Sequence, residues 1–228
     1  MIVRGCTLRN FGDTLNIELI RLISGITPTM VNNSFKNPND EKIYMCIGSV
    51  IGWADKNTEI WGTGKMSITD NTMFKEKPKA IHAVRGPLTR DELIKRGYDC
   101  PEVYGDPALL MPRFYNPKLD KKYELSIIPH AIDRGLIPQL QKQFPTAHFI
   151  DVTGDIYKFI DEVIQSEYII SSALHGCITA YVYNVPYVHE KFSEKVLGNG
   201  FKFKDFEESK KYLYLDKLLE VCPFRKDV

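Results

Sequence analysis

SSALHGCITAYVYNVPYV, residues 171–188, decides the fold, because a histidine and a glycine interrupt an otherwise apolar run there. The run before it, YIISS from Tyr168, is short, β-branched and apolar like a buried strand, whereas GCITAYVY from Gly176 has the small and apolar residues of a packed helix. His175 therefore falls at a strand-to-helix turn. In an open α/β sheet such a turn lies at the carboxyl edge of a strand, where ligands collect and the new helix presents its first N–H groups. A histidine in that place either serves a ligand or bonds a backbone carbonyl in the core, and the turn alone leaves both readings open.

The same rhythm extends outward in both directions. MIVRGC reads as a strand, and TLNIELIRLISG sets Leu15, Leu19, Leu22 and Ile23 on one helical face before Gly25. KIYMCIGS, EIWGTG, AIHAVRG and EVYGD read as further strands, each ending in a glycine-containing loop, and GPLTRDELIKRG as a helix opened by Pro87 and closed by Gly97. RFYNPKLDKKYE, Arg113 to Glu124, is polar and charged and reads as a linker. Beyond it come strand LSIIPH, helix GLIPQLQKQF, strand HFIDV, helix DIYKFIDEVIQ, the opening stretch, strand PYVHEK and a C-terminal helix with Leu215, Leu218, Leu219 and Cys222 on one face.

The predicted architecture is α/β: two Rossmann-like halves, residues 1–118 and 119–228, facing across a cleft, with the C-terminal helix free to cross back and brace the first. The glycine-containing turns NFGDTLN, IGS, GTG, VRG and GDP would project from the first half, and PHAID, SALHG and HEK from the second. None of them matches the full dinucleotide or P-loop fingerprint.

Composition narrows the function. The 30 Lys and Arg against 29 Asp and Glu leave no global field to attract nucleic acid or an anionic membrane. The five cysteines, at 6, 46, 100, 177 and 222, are scattered without a CxxC pair, which argues against a disulfide framework and a zinc site and for a reducing, cytoplasmic setting. The N-terminus lacks the apolar core of a signal peptide, and no apolar run reaches the length of a membrane span.

NFGDTLN, then GSVIGWADKNTEIWGTG, then AVRGPLTRDELIKRGYDCPEVYGDPALLMP, then SALHGCITAYVYNVPYV, in that order, resemble the polysaccharide pyruvyl transferase family from about Asn10 to about Val188. The long middle block is the most specific part. The resemblance implies transfer of a pyruvyl group from phosphoenolpyruvate onto two hydroxyls of a sugar or lipid-linked glycan, forming a cyclic ketal, with no metal and no further cofactor. It also implies two Rossmann-like halves in the manner of GT-B glycosyltransferases. A cytoplasmic protein, able to sit at the inner membrane face and to form a homo-oligomer, is expected beside it. Many members carry Arg two positions before the His, and here that position is Ala173.

The donor is a small polyanion, so its site calls for cations and helix N-termini. Arg85 ends a strand at the loop into the Pro87 helix and is the first candidate, against a structural ion pair with Asp106 or Asp91. Lys191 stands to replace the missing arginine, with Ser172 and the N–H groups of Gly176 and Cys177 completing the donor contacts. His175 is the main candidate acid and base, and His130, at the end of another strand, a second. Asn10 and Asp13 are candidates for the acceptor hydroxyls, although Asp13 suits helix capping better. Trp61, like Trp53 and Tyr104, could stack on a sugar ring or simply fill the core. His82 and His148 lie inside strand patterns and read as structural. Two other classes stay open: a nucleotide-sugar glycosyltransferase, for which Glu190 is the ribose candidate, and a non-catalytic carbohydrate-binding protein.

Overall fold

The structure, a computed structural model, describes residues 1–7, 10–69, 74 and 76–226. Its chain forms two compact units, one made of Met1–Leu8, Gly12–Leu110 and Gly198–Val228, the other of Arg9–Phe11 and Met111–Leu197.

The first unit is built on a five-stranded parallel sheet of β1 (Ile2–Arg4), β2 (Thr29–Val31), β3 (Ile43–Met45), β4 (Thr58–Trp61) and β5 (Ala80–Ala83), in the order β2-β1-β3-β4-β5. Helix α1 (Phe11–Ser24) buries Leu15, Leu19, Ile20 and Ile23 from one stripe, the spacing expected of a helix laid on a sheet. Helix α2 (Pro87–Ile94) follows β5 and buries Thr89 and Leu93. EVYGD is no strand: Val84 and Tyr104 form one isolated parallel bridge. Directly after that bridge Gly105 leaves the extended region at φ 139, which ends the pairing there. Strand β2, three residues at the sheet margin with no buried position, has no apolar signal in the sequence and was not expected.

The second unit holds a four-stranded parallel sheet of β6 (Tyr123–Ile128), β7 (His148–Phe149), β8 (Ser166–Ser171) and β9 (Tyr187–His189), ordered β7-β6-β8-β9. Helix α3 (Ile137–Gln143) lies between β6 and β7 in the chain. Helix α4 (Ile156–Ile164) starts at Asp155, whose carboxylate accepts from the Lys158 N–H at 2.9 Å, and buries Phe159, Ile160 and Val163. Phe11 stacks on Phe159 with ring centroids 4.1 Å apart. Helix α5 (Leu174–Val182) is buried over most of its length, as the opening stretch predicts.

After β9 the chain leaves this unit. Gly198–Val228, with α6 (Phe201–Ser209) and α7 (Leu215–Glu220), belongs to the first unit, so the second half predicted as residues 119–228 gives up its last thirty-odd positions. The reason is burial. Phe206 and Leu218 are fully enclosed, the Trp61 indole N–H donates to the Leu218 carbonyl at 2.8 Å, and Phe224 meets Trp61 edge-on at 5.3 Å. Two all-parallel, Rossmann-like α/β units result, and among the described residues no helix is long and apolar enough to cross a membrane.

Candidate active site

In each sheet the strand order reverses once, between β1 and β3 in the first and between β6 and β8 in the second. The crevice outside the carboxyl ends at such a reversal is where open α/β sheets bind ligands. In the second unit the two flanking strands deliver His130 and His175.

His130 follows β6 and caps the 3-10 turn Ala131–Leu136, its Nδ1 accepting from the Ile132 N–H at 3.2 Å. An Nδ1 that accepts puts the ring proton of a neutral imidazole on Nε2. The His130 backbone N–H donates to Ser172 Oγ at 2.8 Å, and Ser172 Oγ donates to Asp133 Oδ2 at 2.9 Å. Ser193 Oγ donates to the other oxygen of the same carboxylate. Asp133 is 1% exposed, so one buried carboxylate ties together the segments that follow β6, β8 and β9. Asp133 had been passed over in the sequence, where it is one acid among 29 acidic residues in a polar turn.

His175 sits half-buried in the first turn of α5, its carbonyl accepting from Thr179 Oγ1 at 2.7 Å. The turn into that helix is made by Ser171, whose Oγ accepts from the Ala173 N–H at 3.0 Å and lies 3.1 Å from the Ile128 carbonyl. A Cβ on Gly176 would come within 2.3 Å of that Oγ. Gly176→Ala is therefore expected to cost about 1–3 kcal/mol by overpacking, and adding Ser171→Ala should recover part of it; thermal melts of the three variants check this. The Cys177 N–H is already donated to the Ala173 carbonyl at 3.2 Å, which corrects its expected role in holding the donor. Lys191, half-exposed, is ion-paired with Glu194.

Arg85 also departs from expectation. It lies in the first unit and is fully buried: Nε bonds Asp205 Oδ2 at 3.1 Å, one terminal nitrogen Ser49 Oγ at 2.6 Å, and the other the Lys65 carbonyl at 2.6 Å. Asp205 in turn accepts from the Thr89 N–H at 2.9 Å and Thr89 Oγ1 at 2.6 Å, in the first turn of α2. The anion predicted at Arg85 is thus present, but it is the chain's own carboxylate from α6, which also takes up the first turn of α2. Gly86 admits it, since a Cβ there would stand 2.1 Å from the Asp205 carbonyl oxygen.

Lys202, in the first turn of the same α6, is 6% exposed. Burial, and then the nearby Arg85 charge, push its ammonium down to about 8. Between pH 8 and the ordinary lysine value of 10.5 the unfolded chain holds a proton that the folded chain has released. Stability should therefore rise with pH through that window, with the penalty fully present below it. Lys202→Met is expected to be more stable than the parent at pH 7 and to lose that rise, which urea midpoints at pH 7 and pH 10 would measure.

Of the acceptor candidates, Trp61 is fully buried with its N–H committed, so it is a core residue and cannot stack on a sugar. Asp13 is half-buried in the first turn of α1, and Asn10 is half-buried and groups with the second unit. A cavity of about 450 Å³, lined by Asn116, Lys118, Asp120, Tyr183 and Asn184 among others, opens beside the linker into β6. That is the amino edge of the second sheet, opposite the histidines. Among the described residues, no group of three or more His, Cys, Asp or Glu side chains is placed to hold a metal ion. None of the five cysteines is in a disulfide.

Two curated relatives match over most of the chain. Uncharacterized protein L143 of Acanthamoeba polyphaga mimivirus is 28% identical over 189 residues, covering 76% of this chain and 65% of its own length. Succinoglycan biosynthesis protein ExoV of Rhizobium meliloti is 31% identical over 211 residues, covering 88% of this chain and 61% of its own. The chain thus spans somewhat under two thirds of the length of each. The family profile for polysaccharide pyruvyl transferase matches residues 73–189, half of the chain, from before β5 through α2, the linker and the His175 turn to the end of β9. The chain belongs to the polysaccharide pyruvyl transferase family.

Proposed function

We propose that this chain transfers the pyruvyl group of phosphoenolpyruvate onto two hydroxyls of a sugar in a glycan, forming a cyclic ketal, and that its two Rossmann-like units are of the GT-B kind. Family membership supports the reaction class, and the name of the ExoV relative supports a polysaccharide setting. The observation that carries the reading is the delivery of His130 and His175 to the two sides of the β6/β8 reversal.

The chemistry needs two proton movements. The first sugar hydroxyl adds at C2 of the enol phosphate while C3 takes up a proton and becomes a methyl group; the hydroxyl gives up its own proton. Cleavage of the C2–O bond to phosphate leaves an oxocarbenium centre, on which the second hydroxyl closes, its proton leaving with the phosphate. An imidazole, which can both give and take a proton, suits both transfers, and His175 takes this role. His130, with Nδ1 accepting from the backbone, points an Nε2–H donor for the phosphate, and Ser172 and Asp133 hold its loop in place. The positive end of α5 at Gly176 and the exposed Lys191 add to the donor's field. Arg85 acts at one remove, by fixing α6 through Asp205. Asn10 and Asp13 read acceptor hydroxyls. Phosphoenolpyruvate carries its own leaving group, so the reaction draws on no resident cofactor. Cysteines outside any disulfide suit a reducing, cytoplasmic setting, where a lipid-linked acceptor would bring the protein to the inner membrane face.

The test is phosphate release from phosphoenolpyruvate by the purified protein across a panel of glycosides. Acceptor-dependent release is expected. Consumption of a nucleotide sugar, with phosphoenolpyruvate untouched by every glycoside, would contradict it.

A further inference from the structure

We propose that Lys202, at the N-terminus of α6 beside Arg85, forms a seat for a small oxyanion, a phosphate or a carboxylate, in the first unit. The seat is read from charge and burial in the first unit alone and stands apart from the reaction proposed above.

Three features meet at Lys202, and each disfavours a cation unless an anion joins it. The side chain is more than nine-tenths buried. It stands in the first turn of a nine-residue helix, the end at which the backbone dipole already presents positive charge. Arg85, its charged neighbour, has the same sign. The carboxylate that could have balanced it, Asp205, is spent: it receives Arg85 Nε, the Thr89 hydroxyl and the Thr89 N–H. Lys65 nearby on the chain's β4 loop, whose carbonyl holds Arg85, has Glu92 for its own partner at 3.3 Å. For Lys202 the contact made within the protein is with the Phe203 ring, 5.5 Å from Nζ to centroid, and among the described residues no carboxylate reaches it. A helical side chain leans toward the N-terminus of its own helix, and Gly200, the residue before α6, offers no side chain to cap that end. Withdrawing an unbalanced ammonium from most of its water is costly. A small oxyanion at this end of α6 would satisfy the lysine, the helix terminus and the excess charge of the Arg85 pair together.

The position also fits the sheet. Ser49, Lys65 and Arg85 follow β3, β4 and β5, so the group lies at the carboxyl edge of the first sheet, where α/β units present ligands.

The experiment is calorimetric titration of the purified protein with inorganic phosphate and, separately, with pyruvate, alongside Lys202→Met and Lys202→Arg. Thermal melts confirm that both variants fold. Lys202→Met should weaken one of the two anions by roughly tenfold to a hundredfold, and Lys202→Arg should retain most of the affinity. Loss confined to phosphate identifies a phosphate seat; loss confined to pyruvate identifies a carboxylate seat. Equal affinities for both anions in the parent and Lys202→Met, or no binding of either by the parent, would overturn the proposal. Anion binding without acceptor-dependent phosphate release would leave the seat standing and remove the reaction.

Discussion

His175→Ala is expected to lower kcat by roughly a hundredfold to ten-thousandfold, the range that a lost proton-transfer group costs, with the affinity for phosphoenolpyruvate little changed. The fold should tolerate it. His175 is half-buried in the first turn of α5, and alanine is the better helix former there. His175→Gln, which keeps size and a hydrogen-bonding end but cannot carry a proton near neutrality, should be impaired to a similar extent. Steady-state kinetics with phosphoenolpyruvate varied, together with melting curves, checks both. Near-normal turnover in the two variants would take His175 out of the reaction.

Asp205→Ala is expected to cost the fold about 3–5 kcal/mol, because it strands the Arg85 guanidinium, 0% exposed, without its counter-charge. The same change removes two acceptors from the first turn of α2. Replacing both members, as in Arg85→Met with Asp205→Leu, should cost clearly less than Asp205→Ala alone, since neither member of the pair is then left as an unbalanced buried charge. Denaturant unfolding of the single and double variants measures the difference.

The legibility of this molecule in its sequence follows from what each element has to bury. The strands β3, β4, β6 and β8 and the helices α1, α4 and α5 announce themselves by apolar period or apolar run, because their partners are apolar. The His175 turn was visible for the same reason: a polar pair breaking an apolar run between a strand and a helix. Helix α6 was not. Its enclosed positions include Lys202, Asp205 and Ser209 beside Phe203 and Phe206, so polar residues lie on the buried stripe and blur the period. Asp205 was missed with it, and so was the true partner of Arg85. That partner lies 120 positions along the chain, a distance that no local pattern spans. The sequence pointed to Asp106 or Asp91 because they are near in the chain. The return of Gly198–Val228 to the first unit was open to the reading of the C-terminal apolar face, but its extent was not, since the polar α6 carries much of it. Trp61 shows the opposite failure: an aromatic in a GTG-flanked strand looks equally fit for a sugar or a core, and the Leu218 carbonyl that takes its N–H lies on a helix 157 positions away.

The most direct measurement follows the carbon skeleton of the donor. The protein is supplied with phosphoenolpyruvate labelled with carbon-13 at C3 and an acceptor glycoside in deuterium oxide, and the product is read by NMR. The account predicts that label appears on the acceptor as a ketal methyl group carrying one solvent deuteron, in step with phosphate release, and that His175→Ala slows both together. An acceptor that stays unlabelled while phosphate is released, or one whose labelled carbon remains a methylene group, would contradict it.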